Sequence, residues 1–430
     1  MKRPLALTLT PVIVLALILG AGAPPASAAA FPVYTVADLG TLGGPNSFAL
    51  DLNAAGQVVG GAETAPNIQH PFLYSNGIMS DLGTLGGCCG IAGSINASGQ
   101  IVGQADTSDG GRHAFLYNNG VMTDLGTLGG PDSRAFDIND PGQIVGISRP
   151  PNSGFQHAFL YDGGVMTDLG PLPDGNTSYA NSINNSGQIA GWSGPGVGTE
   201  QAHAYLYSNG VMADLGTLGG GRSVAFALND PGQVVGWSDI TGDGSFHAFL
   251  YSNSAMADLG TLGGGFSLAA GINDLGEVVG WAHTPDERQH AFLYRRGVMQ
   301  DLNDLIPPAS AWELTYAVEI NDAGQIVGWG VINGQTHAFL LTPRSPSQLI
   351  DDLIGLVQNF NLPHGIENSL IVKLQNAQNS LAAGDITGVC DKLTAFVNQV
   401  NAQAGKALTT DQADQLIAGA EQIKTVLGCP

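Results

Sequence analysis

The stretch AFDINDPGQIVGISRPPNSGFQHAFLYDGGVMTDL, residues 135–169, decides the fold. Ala135–Asn139 reads as a first strand, A. Asp140-Pro141-Gly142 follows as a turn, because Pro presets one backbone angle and Gly accepts a positive one. Gln143–Ser148 is strand B, and a polar loop leads to strand C at His157–Tyr161. Asp162-Gly163-Gly164 is a tight hairpin turn, and Val165–Leu169 is strand D. Ala158-Phe159-Leu160-Tyr161 is apolar at every position. A strand with one wet face alternates apolar and polar residues, whereas one covered on both faces reads as a continuous apolar run.

The same unit recurs along the chain. The motif D-L-G or D-L-N places Asp at 38, 81, 124, 168, 214, 258 and 301. H-A-F-L-Y and its variants begin at His70, His113, His157, His203, His247, His290 and His337. A third motif, N-x-x-G followed by Gln or Glu, begins at Asn53, Asn96, Asn139, Asn184, Asn229, Asn273 and Asn321. Four short strands in a period of about 43–48 residues match one propeller blade. A flat β-solenoid competes, but its coils are usually shorter. The expected fold is therefore all-β: a seven-bladed β-propeller over 31–343, followed by a small all-α bundle over 347–430. Only six D strands follow the seven A-B-C sets. The missing one stands at the other end, where Val33–Leu39 carries a D-L-G ending with no A-B-C before it. This N-terminal strand is expected to complete blade seven and remove the open edge.

The repeat resembles the HAF-type bacterial extracellular repeat. The core reads HAF at His113, His157, His247, His290 and His337, HPF at His70 and HAY at His203. The resemblance implies an extracellular repeat protein and brings no reaction or ligand with it. After Pro346 the spacing of apolar residues becomes helical: Leu349, Ile350, Leu353, Ile354 and Val357 form one stripe, and Leu370, Ile371, Leu374 and Leu381 another. Thr409 with Gln412 is a capping-box pattern, Asp385 is a helix cap and Gly405 a helix stop. Phe396-Val397-Asn398, Gly405-Lys406, Leu408-Thr409, Gln412-Ala413-Asp414 and Leu416-Ile417 resemble the FIMAH-type module of secreted bacterial proteins. That resemblance implies an accessory adhesive or docking module.

Residues 1–28 read as a secretory signal: Lys2 and Arg3, an apolar run from Val12 to Leu19, then Ala26-Ser27-Ala28. The expected location is extracellular. Net charge is −22, and between leader and tail there are Arg residues but no Lys. Such a surface cannot neutralise a phosphate backbone, which argues against nucleic acid and acidic membranes as partners. A monomer is expected, with no membrane insertion and no cofactor. Calcium is a weak option at Asp106, Asp109, Asp239 and Asp243, which lack the full spacing of a calcium loop.

The repeat His are too far apart to share an ion, so each is expected to bond the D-L-G Asp of its own blade. The repeat Asn reads as a turn former. Cys88 and Cys89 are either two thiols or a strained vicinal disulfide. Cys390 and Cys429 read as a disulfide in a secreted chain. Trp192, Trp237, Trp281 and Trp329 are expected to pack between blades, with sugar stacking the alternative. There is no G-x-S-x-G elbow, H-E-x-x-H or phosphate loop, and no catalytic residue is assigned. A–B and C–D turns are uniform and share one face. B–C loops differ in every blade and share the other face with the D–A loops, of which Pro171–Ser178 and Asn303–Leu314 depart from G-T-L-G-G. This variable face is the expected recognition surface. Trp312 and Glu313 are its preferred contacts, with Arg112, Arg134, Arg149, Arg222 and Arg288 as cations for an acidic ligand group. Loop-to-loop salt bridges are the plain alternative for those Arg. Two functions follow: non-catalytic binding or adhesion to an extracellular glycan or protein, or a carbohydrate-active hydrolase or lyase on the same face. Acids around the central opening with strongly shifted pKa values would favour the enzyme.

Overall fold

The computed structural model describes residues 34–429 except 197–200, 243 and 308–309. The leader expected over 1–28, Val33 and Asp243 lie outside the described residues. Among the described residues twenty-eight strands form seven four-stranded antiparallel sheets, and four helices follow. The sequence unit at 135–169 becomes β10 (Ser133–Ile138), β11 (Ile144–Ser148), β12 (His157–Asp162) and β13 (Val165–Asp168). Their turns match the quoted sequence: Gly142 has φ 89° after Pro141, and Gly163 and Gly164 have φ 56° and 90°. Only glycine enters that region without a Cβ penalty.

The core sits between blades. Val102 and Ala114 from one blade meet Ile138, Ile144 and Phe159 from the next, all buried. Every first strand carries a bulge, as between Ala135 and Asp137, which turns two successive residues toward the axis. Glycine in strand B lets the first strand lie close: a Cβ on Gly146 would stand 1.9 Å from the Arg134 carbonyl. The ring closes as expected. β1 (Tyr34–Asp38) pairs antiparallel with β28 (Gln335–Pro343), Tyr34 opposite Pro343 and Asp38 opposite Phe339. Tyr34 is buried, and the Asp38 carboxylate accepts from His337 Nδ1 at 2.9 Å.

Two departing loops are shorter than the sequence implied. A 3-10 turn covers Leu302–Leu305 and a strand starts at Trp312, so Trp312, Glu313 and Leu314 belong to β26 (Trp312–Ile320). Thr177 and Ser178 belong to the strand Thr177–Ile183. Glu63–Gln69 is mostly strand, closed by a turn around Asn67 at φ 64°.

The tail is a bundle of α1 (Pro346–Asn359), α2 (His364–Ala382), α3 (Ile386–Gln403) and α4 (Thr410–Val426). Leu353, Leu374, Leu393, Phe396 and Leu416 share its core, which contains no propeller residue. Thr409 and Gln412 form the reciprocal capping box, Asp385 accepts from Gly388 N, and Gly405 follows α3 at φ 71°. Ser345 and Gln348 form a second capping box. Cys390 and Cys429 are disulfide-bonded across 39 residues. Replacing both by Ser is expected to cost the bundle about 3–4 kcal/mol in the chain-entropy account, read by denaturant titration of the full chain. Among the described residues no helix is long and apolar enough to cross a membrane.

Candidate functional site

Six of the seven repeat His bond the Asp eleven residues on, and His337 bonds Asp38 of the N-terminal strand. Nδ1 lies 2.8 Å from the carboxylate in His70–Asp81 and His113–Asp124, and 2.9 Å in His157–Asp168, His247–Asp258 and His337–Asp38. His203–Asp214 at 2.7 Å and His290–Asp301 complete the set. The carboxylate accepts, so Nδ1 carries the proton. The same Asp takes the backbone N–H two residues later, as Gly170 N to Asp168 Oδ1 at 2.8 Å, and so sets the D–A turn. A serine at the start of strand A, marked by none of the three repeat motifs, adds a further link. Ser47, Ser133, Ser178, Ser223 and Ser267 each donate to the Gly carbonyl of D-L-G and accept from the Ala (or, for Ser47, Ala338) N–H of the preceding blade. Its regular place, seven or eight residues after the Gly of D-L-G, was the available signal. These groups tie one blade to the next.

The axis is more distinctive. Each repeat Asn forms its own turn, Oδ1 accepting from the residue four on, as in Gln143 N to Asn139 Oδ1 at 2.8 Å. Its Nδ2 also donates to the carbonyl of the next blade's Asn. The chain of bonds runs Asn53 to Asn96, Asn139, Asn184, Asn229, Asn273 and Asn321, and Asn321 returns to Asn53. Outside this ring lies a second one, where Asp140, Asn185, Asp230, Asp274 and Asp322 accept backbone N–H groups from the blade before. Burial pushes the Asp274 carboxyl up, and the charges of Asp230 and Asp322 add to it.

Beneath the Asn ring the bulges place Asp51, Asp137 and Glu319 in the channel. Each is open only to that narrow passage, so it is partly exposed although protein surrounds it. Asp51 accepts from Leu52 N at 2.7 Å and from Ile95 N of the next blade at 2.8 Å. Asp137 accepts from Ile138 N, from Ile183 N and from Ser94 Oγ, each at 2.8 Å. Glu319 accepts from the N–H groups of Ile320 and Ile272. Burial, then the charge of Asp137, pushes Asp51 up to about 7. Burial, then Asp51, pushes Glu319 well above the carboxylate range.

This acid layer divides the channel. On the uniform-turn side a cavity of about 340 Å³ is lined by the Asn and Asp rings. On the variable-loop side a cavity of about 310 Å³ has Phe136, Phe226, Tyr316 and Trp329 in its walls and the three acids in its floor. Around that end runs a belt of rings: Phe136 stacks on Tyr179 and Tyr179 on Trp192, with centroids 6.2 and 4.3 Å apart, and Tyr316 stacks on Trp329 at 4.4 Å. Trp192 and Trp237 are buried packing residues, as expected, whereas Trp329 also faces the cavity.

The loop contacts expected from sequence are largely spoken for. Trp312 is no exposed anchor: it packs edge-on against buried Phe339, because β26 starts two residues earlier than its loop was expected to end. Glu313 faces Arg288 at 3.6 Å and His290 Nε2 at 3.7 Å. Arg112 pairs with Asp106, Arg149 with Asp132, Arg222 with Asp239 and Arg288 with Asp286. Arg149 and Arg222 thus bridge different loops, as does Arg288 through Glu313, whereas the Arg112–Asp106 pair lies within one hairpin. Arg134 makes no ion pair among the described residues, and its Nε is buried without a hydrogen-bond partner. Of the acids in the calcium option, Asp106 and Asp239 each pair with one of those Arg, and Asp109 accepts from Thr107.

The architecture defines a β-propeller with a blade-to-blade hydrogen-bonded axis. No family model and no curated protein matches the chain. Among solved structures the chain is similar to TolB from Acinetobacter baumannii, with 14% identity and a TM-score of 0.37, covering 58% of this chain and 64% of that one. It thus spans less than two thirds of the TolB chain. AofleA from Arthrobotrys oligospora is 10% identical with a TM-score of 0.34, covering 57% of this chain and 80% of that one. The Aleuria aurantia lectin, in complex with Fucalpha1-6GlcNAc, is 13% identical with a TM-score of 0.31, covering 58% and 94%.

Proposed function

We propose that this is an extracellular binding protein that holds its ligand, a glycan or a protein, on the variable-loop face without turning it over. One observation carries the reading: the aromatic-walled cavity on that side of the acid layer, fixed by strands rather than loops. A preformed apolar pocket with a few polar groups is the usual form of a recognition site. Ring faces give contact area at little entropy cost. The HAF-type repeat and leader are in keeping with secretion, and the FIMAH-like bundle with docking. Recognition is thereby moved from Trp312 and Glu313 inward to Tyr316, Trp329 and Phe136.

The enzyme reading has its own support. Asp51 near 7 is suited to general acid–base work, and shifted acids at the central opening were the feature that would favour it. Against it, the Asp51 oxygens take backbone N–H groups from two blades, which makes the carboxyl a strut. A glycan array probed with the mature protein separates the readings when the bound sugars are then checked for cleavage. Binding that Tyr316→Ala abolishes, with the sugar recovered intact, supports recognition in the cavity. Product release that stops with Asp51→Asn supports the enzyme and overturns our reading.

A further inference from the structure

In four blades the residue that ends the D–A loop meets the residue that ends strand B, seventeen positions later. Asn46 donates to Glu63 at 2.9 Å, and Arg222 donates to Asp239 at 2.7 Å. Asp132 stands 3.5 Å from Arg149, and Phe266 packs edge-on against His283 at 5.4 Å between centroids. Each pair closes the seam between loop and strand. Blade two puts Cys89 in that place, with Cys88 beside it and Asp106 opposite. Both thiols fall where the pairing of Gly86–Ile95 with Ile101–Thr107 skips from Gly86 to Gly90, so they escape the alternation of a regular strand and turn the same way. Cys88 Sγ is 2.8 Å from Cys89 Sγ and 3.3 Å from Asp106 Oδ2, and one donor atom from each of the three residues lies within 4.8 Å of the others. It is the one such group of potential ligands among the described residues.

We propose that Cys88, Cys89 and Asp106 bind one thiophilic divalent cation of the zinc type, on the variable face. Two thiolates are soft ligands that prefer zinc, cadmium and their like to calcium or magnesium. Zinc–sulfur bonds of about 2.3 Å and a zinc–oxygen bond of about 2.0 Å at tetrahedral angles place the sulfurs about 3.8 Å apart and sulfur about 3.5 Å from oxygen. The Cys88–Asp106 distance already fits. The sulfurs need to part by about 1 Å, within reach of a side-chain rotation in a segment that is free of ladder pairing. Arg112 Nε holds Asp106 Oδ1 at 2.7 Å, which leaves Oδ2 aimed at the sulfur. Such outer partners orient ligands at metal sites. Binding replaces two S–H protons, which leave to solvent, by one M²⁺. Two thiolates, one carboxylate, the Arg112 guanidinium and the cation then sum to zero charge. The fourth position opens on a surface hollow of about 520 Å³ bounded by Thr107, Ser108 and Arg134, with room for water or a ligand donor atom.

The test uses the full mature chain, purified without reductant and titrated with Cd²⁺, with thiolate-to-metal ultraviolet absorption and proton release as readouts. The expected result is two titratable thiols, one Cd²⁺ bound and two protons released per chain, and competition by Zn²⁺ but not by Ca²⁺. Cys88→Ser and Cys89→Ser should each remove the absorption, and Asp106→Asn should weaken binding at least tenfold while the melting temperature stays near that of the parent. A chain isolated with Cys88 linked to Cys89, or Cd²⁺ absorption that survives both Cys substitutions, overturns the proposal.

Discussion

Deleting residues 33–39 should open the ring and lower the melting temperature of the propeller by roughly 10 °C. The segment buries Tyr34 and Leu39, each worth about 2 kcal/mol, and its strand Tyr34–Asp38 supplies the outer ladder to Gln335–Pro343. Its loss leaves His337 without its carboxylate and exposes an unpaired strand edge. A total on the order of 5 kcal/mol or more corresponds to about that shift for a domain of this size. Differential scanning calorimetry on the deletion and the parent makes the comparison. The bundle serves as internal reference, since its core shares no residue with the propeller. A propeller transition unmoved by the deletion would show that closure by this strand contributes nothing.

The acid layer should make the propeller less stable as pH rises through mid-range. Asp51 has an ordinary carboxyl value of 3.8 in the unfolded chain and about 7 in the folded one. The folded state therefore holds the extra proton. Stability is fully present below about 4, falls as pH rises from about 4 to about 7, and is level above. Converted directly, that difference is at most about 4 kcal/mol, and water in the channel reduces it. Glu319 shifts in the same direction. Asp106 and Asp286, held low by hydrogen bonds to Arg112 and Thr284 respectively, act the other way and in a different window, losing their contribution only as pH falls below the ordinary carboxyl range. Asp51→Asn should flatten the fall between pH 4 and 7, as read from urea unfolding midpoints at several pH values. A parent whose midpoint rises over that range would contradict the account of the channel.

Much of this molecule was legible because it repeats. Seven copies of three motifs give blade number and strand order, and the orphan D-L-G segment at Asp38 gives closure. The His–Asp bond could be named because the two residues recur at a fixed distance of eleven. The axis was harder to read. Its Asn looked like a local turn former, and so it is, but the donated bond to the neighbouring blade is made across 43 residues or more, beyond any local pattern. Asp51, Asp137 and Glu319 occupy one position whose other copies are Ser94, Ser182, Ala227 and Gly271, so no motif marked them. Their neighbourhood depends on a bulge that turns two successive residues inward, which strict alternation conceals. The Asn303–Leu314 segment was hard to read for a related reason: a departure from G-T-L-G-G does not show where the next strand begins, and that strand starts at Trp312, which packs edge-on against Phe339.

Glycan-array binding of the mature protein, run in parallel with Tyr316→Ala and with a variant in which Asp140, Asp230 and Asp322 on the opposite mouth are changed to Asn, tests the central claim most directly. The account predicts glycans bound by the parent and by the triple variant, lost or weakened at least tenfold in Tyr316→Ala, and recovered uncleaved. Equal binding by the parent and Tyr316→Ala, or loss confined to the triple variant, would contradict recognition on the variable-loop face.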